Sequence, residues 1–555
     1  MSEAATEFHF SPRPNRASEI NWRPWSKEAF DEARTVGRPI LLSISAVWCH
    51  WCHVMDETTY SHPSVIEIIN RDYVPVRVDN DVRPDINQRY NMGGWPTTAF
   101  LTPSGDILTG ATYLPPDQMA SALMSVAGYY RNNQAEIAGR VLEARKRAAS
   151  GVARSAGSLD AALVDEVLGA VKNAYDPEYG GFGGAPKFPQ TDAILLLLEQ
   201  SALRGDEELR RMAVHTLEQM AGGGTYDHVE GGFFRYSTTQ DWSVPHFEKM
   251  LEDHAGLVQA LALAGMKDVL DKTAGYLDRV LRDPRTGLYA GSQDADEHYY
   301  SMDAEERKSA VAPYVDRRVY TAWNAALAIA YGETAGELVD ALFKRAYRKG
   351  EGMSHTEGIG GQLGDQAWSL WAAVRAYQHG FGHRWLEVAG DLAEHLEKMY
   401  GDPELGGYLD HAGGDDLGRL GERIKPLAEN SVAAMALIEL DTLLGDPDAP
   451  YRERARRALE SVAALPRSYG LMAAVFARAL DRLAHAVKVT TKNPELARAA
   501  RAAHPYAVID PDGDQRAVVC SGQICLAPVS TPDAVREAIK EASQARAPGA
   551  RRAPA

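Results

Sequence analysis

No run of apolar residues in this chain is long enough to cross a bilayer, which sets aside a membrane-spanning role. Cysteine is scarce, four in 555 residues, so a small disulfide-stapled fold is excluded. Positive charge is the minority: 59 Lys and Arg against 76 Asp and Glu leave a net −17, which repels a phosphate backbone and argues against a nucleic-acid partner. The opening MSEAATEFHFSPRPN has neither the basic start nor the apolar stretch of a secretory signal, and the cytoplasm is the expected address.

What is present is ordinary globular material, 45% hydrophobic and 24% charged. The length exceeds the roughly 250–300 residues at which one core stops growing, so at least two domains are expected. Between 26 and 133 the pattern alternates helix, strand, helix, strand. It predicts a helix over 27–36, a strand over 39–45, a helix over 52–60 and a strand over 73–79. Strands 97–102 and 106–112 then flank Pro103-Ser104-Gly105, a hairpin turn, and a helix follows over 116–130.

From about 160 strands nearly vanish and apolar residues recur at helical spacing in twelve segments. Three helices run into the same loop, Asp-Pro followed by a glycine turn and an aromatic, over 176–182, 283–289 and 402–408. Proline stops the preceding helix and glycine supplies the reversal. Such a chain predicts an (α/α)6 barrel, with a two-layer solenoid as the competing arrangement. The expected domains are a thioredoxin-like unit over 1–135, a linker over 136–159, the barrel over 160–484, a small α/β segment over 485–542 and a disordered tail over 543–555.

The cysteines form two close pairs, Cys49 with Cys52 and Cys520 with Cys525. Cys49 follows a buried strand where a helix starts, so the positive helix end would stabilise its thiolate; Cys49 is the expected nucleophile and the more exposed thiol, Cys52 the resolving one. His50, when protonated, would favour the thiolate further. Trp95-Pro96 opens the strand expected beside the dithiol, and both are candidate substrate contacts. The spacing with His53 also fits covalent haem attachment or a zinc site, and a redox-silent fold is a further alternative; the strand, helix and proline context favours thioredoxin. Cys520 and Cys525 are a disulfide candidate.

In the barrel, polar and aromatic residues gather in the loops. His246, Glu248, Asp294 and Asp365 are the catalytic candidates, able to do acid–base work on a sugar. Arg235, Trp242, Asp253 and Asp296 are candidate contacts, because aromatic faces and carboxylates suit a sugar ring. His246, Glu248, Asp294 and Asp365 are expected to converge on one pocket with Trp242 at its wall. They could equally be caps and loop braces. The spacing over 292–297 lacks the glycine and ligand pattern of an EF-hand, and no metal or cofactor is implied.

The sequence becomes specific in Trp48-Cys49-His50-Trp51-Cys52-His53-Val54-Met55, Val78-Asp79, Gly93-Gly94-Trp95-Pro96-Thr97, Val244 to Leu251, Ser292 to Asp296 and Cys520 to Pro528. With Tyr226-Asp227, Gly231-Gly232-Phe233, Trp323-Asn324 and Asn430-Ser431-Val432, these motifs resemble the YyaL family, also called the spermatogenesis-associated thioredoxin-domain family. The resemblance implies a thioredoxin-like domain joined to a six-hairpin glycosidase-like barrel, and adds Tyr226, Asp227, Trp323 and Asn430 to the substrate-binding candidates. The chain departs from it in a short stretch after Asp296 and in His254, where the family usually carries Asn. The expected partners are a sugar-like ligand in the barrel and a protein or small-thiol redox partner. The leading expectation is a cytosolic protein whose barrel binds, and possibly transforms, that ligand; the alternatives are a scaffold with a degenerate pocket, or a hydrolase or epimerase with a purely structural thioredoxin domain.

Overall fold

The structure, a computed structural model, describes residues 8–149, 155–413 and 416–544. Most of the expected tail and part of the expected linker lie outside the described residues. In the first domain β1 (Ile40–Ser45) is buried along its length and lies between β2 (Val74–Asp79), parallel, and β3 (Thr97–Leu101), antiparallel; β4 (Ile107–Ala111) closes the sheet. The β3–β4 turn uses Gly105 at φ 85°, as the sequence requires of a glycine there. Helices α1 (Lys27–Val36) and α4 (Pro84–Tyr90) pack on one face; α3 (Pro63–Asp72) and α5 (Pro116–Asn132) pack on the other. Helix α2 (His50–Glu57), which carries Cys52, follows β1 after a short turn. A further helix, α6 (Gln134–Ala149), runs where the sequence suggested a linker from 136.

The twelve helical segments form a closed two-layer ring. The inner helices are Thr191–Arg204, Leu251–Ala264, Thr321–Tyr331, Leu363–Gln378, Leu427–Leu444 and Ala474–His485, each packed on the next, and the last returns to the first. That return contact rules out the open solenoid. Leu427–Leu444 is apolar all round because it is covered on both sides, whereas the outer helix Tyr451–Glu460 buries only a stripe of Ala455, Ala458 and Leu459.

The loop that recurs in sequence is a brace. In the first copy Asp176 Oδ1 accepts from the backbone N–H groups of Glu178 and Tyr179 at 3.0 and 3.1 Å. Its other oxygen meets the buried Lys187 Nζ at 2.7 Å, which also donates to the Gly180 carbonyl at 2.8 Å. Lys249 with Asp227 and Gly231, and Lys425 with Asp402 and Gly406, repeat the arrangement. The next inner helix grips the loop with its fourth residue. His254, Asn324, Gln366 and Asn430 each accept the backbone N–H of one loop residue, respectively Phe233, Tyr289, Met353 and Tyr408, at 2.8–2.9 Å. His254 thus does the work of an asparagine.

Past the barrel, Val487–Thr490 pairs in parallel with Ala507–Asp510 and antiparallel with Val518–Ser521, and Ile524–Cys525 forms the edge. This small α/β unit bonds the barrel through Ile509 N–H to Gln378 and Tyr377 OH to Asp510. Cys520 and Cys525 face each other across the two edge strands, Cα atoms 4.0 Å apart, and are disulfide-bonded. Among the described residues no helix is long and apolar enough to cross a membrane.

Candidate functional site

Cys49 is the N-cap of α2, its sulfur accepting from the Cys52 N–H at 3.2 Å. The two cysteines are joined in a disulfide. Cys49, expected to be the exposed thiol, is 4% accessible against 2% for Cys52, because the barrel covers the site. Met250 and Trp323 of the barrel pack with Ala46, Trp48 and Trp95 around the pair. The Arg235 guanidinium lies 4.2 Å from the centroid of the Trp48 ring and 5.1 Å from that of Trp95. The Trp95–Pro96 peptide is cis.

The domains are locked on the same side. Arg89 of α4, wholly buried, meets both oxygens of Asp410 at 2.5 and 3.1 Å and donates to the carbonyls of Arg419 and Glu422. Arg318 reaches Asp79 at 3.2 Å. His355 bonds Asp365 at 2.9 Å through Nδ1 and the Asp81 carbonyl at 2.7 Å through Nε2. Burial opposes charge on this imidazole, yet Asp365 outweighs it and holds its pKa near about 9.

The ring encloses a lumen of about 950 Å³ whose mouth is roofed by the first domain, Pro84, Asp85, Asn87 and Gln88 of α4 lying in its wall. Aromatic rings of Phe188, Trp323 and Trp368 and a set of acids line the rest: Asp192, Glu252, Asp253, Asp365 and Glu429, with Arg478 opposite Asp192. Each of these acids stands in the first turn of an inner helix. Glu252 stays open to the lumen, but desolvation by the surrounding wall, with the neighbouring Asp253 charge, pushes its carboxyl up to about 7, and burial pushes Asp253 to about 6. Oδ2 of Asp253 is buried without a hydrogen-bond partner among the described residues. Glu429 is raised for the same reason.

The four residues expected to share one pocket separate. Asp365 lines the lumen. His246, Glu248 and Asp294 lie outside its wall, on the dithiol side: His246 Nδ1 bonds Glu248 Oε1 at 2.8 Å, its ring is 6.1 Å from that of His50, and Asp294 is 3.6 Å from His53 of α2. Burial raises Asp294 to about 8, so it is protonated at neutral pH. Of the expected contacts, Asp253 and Trp323 face the lumen, and His50, Trp95, Pro96 and Arg235 belong to the dithiol surroundings. The others are structural. Trp242 is fully buried beneath the first brace, its indole N–H bonded to the Tyr179 carbonyl at 2.9 Å, and forms no pocket wall. Asp227 is consumed by Lys249 and Arg307, and Tyr226 packs on Phe233 in the same loop. Asn430 grips the Tyr408 backbone, and Asp296 caps the short helix Glu297–Tyr300.

Glu252, Glu429, Asp192, His355, Asn87 and Gln88 are missed by reading the sequence. The signal was an acid in the first turn of successive inner helices, which reads equally well as a helix-dipole partner.

Residues 13–148 match the family model Thioredox_DsbH, described as "Protein of unknown function, DUF255". The chain is 36% identical over 310 residues to human spermatogenesis-associated protein 20, covering 50% of this chain and 39% of that protein; it thus spans about two fifths of the length of that relative. Among solved structures it is similar to a D-mannose isomerase, 12% identical, over 58% of this chain and 96% of that one with a TM-score of 0.45. A cellobiose 2-epimerase from Spirochaeta thermophila is 17% identical over 57% of this chain and 83% of its own, TM-score 0.43. A thioredoxin-like domain with its Cys49–Cys52 pair precedes a six-hairpin helical barrel, and residues 13–148 are similar to the Thioredox_DsbH family.

Proposed function

We propose that the lumen binds a carbohydrate-like small molecule and acts on it by proton transfer, with Glu252 and Asp253 as the acid–base pair, while the Cys49–Cys52 pair exchanges with a small thiol. The observation that carries this reading is the lumen itself: about 950 Å³, with tryptophan faces for C–H surfaces and acids for hydroxyls. Two adjacent carboxyls whose pKa values are raised to about 7 and about 6 supply a proton donor and an acceptor near neutral pH. A small thiol is favoured over a protein partner because Met250, Trp323 and Arg235 cover the face that carries Cys49. The same reading keeps the cytoplasm as its address, where small thiols are abundant.

The test is a panel of mono- and disaccharides, scored by thermal shift and by proton exchange at sugar carbons in deuterated water. Glu252→Gln and Asp253→Asn should preserve the ligand-induced shift and lower turnover by about two to four orders of magnitude. Binding without turnover in the unmodified protein would favour a scaffold role, and no sugar binding at all removes the carbohydrate reading.

A further inference from the structure

The residues that the sequence offers for sugar chemistry, His246 and Glu248, lie on the other side of the lumen wall, across the seam from His50 of the dithiol motif. Their segment is held there by its own pairing: Tyr236–Ser237 forms a ladder with Pro245–His246, and Lys249–Met250 pairs with Ser292–Gln293. Tyr236 stacks on the His246 ring at 4.8 Å with planes 12° apart, which fixes the imidazole. Four residues on, Met250 packs in the cluster that surrounds both sulfurs. The Arg235 N–H donates to the Glu248 carbonyl at 2.8 Å, and its guanidinium covers Trp48, so this barrel strip and the dithiol form one unit.

We infer that the barrel supplies the proton acceptor for thiol–disulfide exchange at Cys49–Cys52, His246 acting as the base and Glu248 orienting it. The 2.8 Å bond from His246 Nδ1 to Glu248 Oε1 makes Nδ1 the protonated nitrogen and leaves Nε2 to take a proton. In the first domain His50 stands across the seam from His246, and the other candidates are engaged or buried. Asp56 is held by Arg77 through two 2.9 Å bonds, Asp81 accepts from the Trp48 indole at 2.7 Å, and His53 is buried. Burial raises Asp294 to about 8, which favours its protonated form at neutral pH.

The step balances as follows. A small thiol gives its proton to His246 Nε2, and the thiolate attacks Cys49 Sγ; the Cys49–Cys52 bond breaks, its electron pair goes to Cys52 Sγ, and the proton passes from His246 to Cys52. A second thiol attacks the mixed disulfide, releases the small disulfide and leaves Cys49 with the second proton. Two thiols are oxidised and one protein disulfide is reduced.

The groups facing His246 are Glu248 on its own strip, Glu297 at the start of the short helix, Arg235 and, across the seam, His50. Burial and Arg235 disfavour its charge, but the Glu248 bond and the two carboxylates win, and its pKa lies above the usual histidine value. Reduction of the full-length oxidised protein by dithiothreitol, followed by stopped-flow tryptophan fluorescence from pH 5.5 to 9, reads this directly and needs no sugar. Relative to a small-molecule disulfide in the same buffers, the wild-type rate should fall as pH drops through the His246 pKa. His246→Ala should lose that inflection and slow reduction at pH 7.5 by about tenfold to a hundredfold, and added imidazole should restore much of the rate. Glu248→Gln should move the inflection to lower pH; this milder variant, with His246→Gln, stands in if the alanine variant does not fold. Profiles that superimpose on wild type, or a uniform loss with no change of shape and no imidazole rescue, would overturn the assignment. Either result leaves the carbohydrate reading untouched.

Discussion

His254 shows what one side chain can be asked to do twice. Its Nδ1 donates to the Met250 carbonyl at 2.5 Å and its Nε2 accepts from Phe233 N–H at 2.9 Å, so the ring works only when neutral, and burial holds its pKa near about 4. The folded value lies below the unfolded value of about 6.5, so the unfolded chain binds the extra proton first as pH falls. The stability that the neutral ring contributes is complete above about pH 6.5 and is lost towards pH 4, at about 1.4 kcal/mol per pH unit within that window. Asn324 and Asn430 make the same grip without a titratable group. His254→Asn should therefore flatten the acid limb of a stability-versus-pH curve, measured by urea unfolding at pH 7 and pH 5. An unchanged slope would mean that this ring is not the acid-sensitive grip.

The braced loops are the unit that makes the barrel's elements recur, and their copies are unequal. Lys187 and Asp176 are both buried, whereas Asp283 is partly exposed and is met by Arg285 at the surface. Removing one partner of a buried pair strands the other, so Lys187→Met should cost about 3–5 kcal/mol, while Asp283→Ala should cost far less; chemical denaturation of the two variants would rank them. The same loops explain how much could be read in advance. The strand–turn–helix around Cys49 and the helical periods were legible because they are local patterns, and the inner helices at Thr191 and Thr321 and the outer helix at Lys267 start where periodicity placed them. Which polar residue faces the lumen is not local. It depends on ring closure, and Asp227 and Asn430 resemble ligand contacts in sequence because a residue that bonds loop backbone needs the same chemistry as one that bonds a hydroxyl. Glu252 and Glu429 were hidden for the opposite reason, being acids where any helix start welcomes them.

At the scale of the whole molecule, the buried Arg89 provides one of several bonds that tie the two domains together at the lumen roof, beside Arg318 to Asp79 and His355 to Asp81. Arg89→Ala would leave Asp410 uncompensated beneath α4, and should loosen the seam without unfolding either half. Calorimetry should then resolve two transitions in place of one, and amide exchange over 84–90 should quicken; a single unshifted transition would show that the remaining seam bonds suffice. Trp323 lies across the same boundary, one face in the lumen wall and one in the packing around Cys49 and Cys52. Occupancy of the lumen and oxidation of the sulfurs are therefore read by one indole, and linkage makes their mutual influence reciprocal. A ligand that binds the disulfide form tenfold better than the dithiol form must lower the midpoint potential of the pair by about 30 mV, and the potential of the surroundings would in turn decide how full the barrel is.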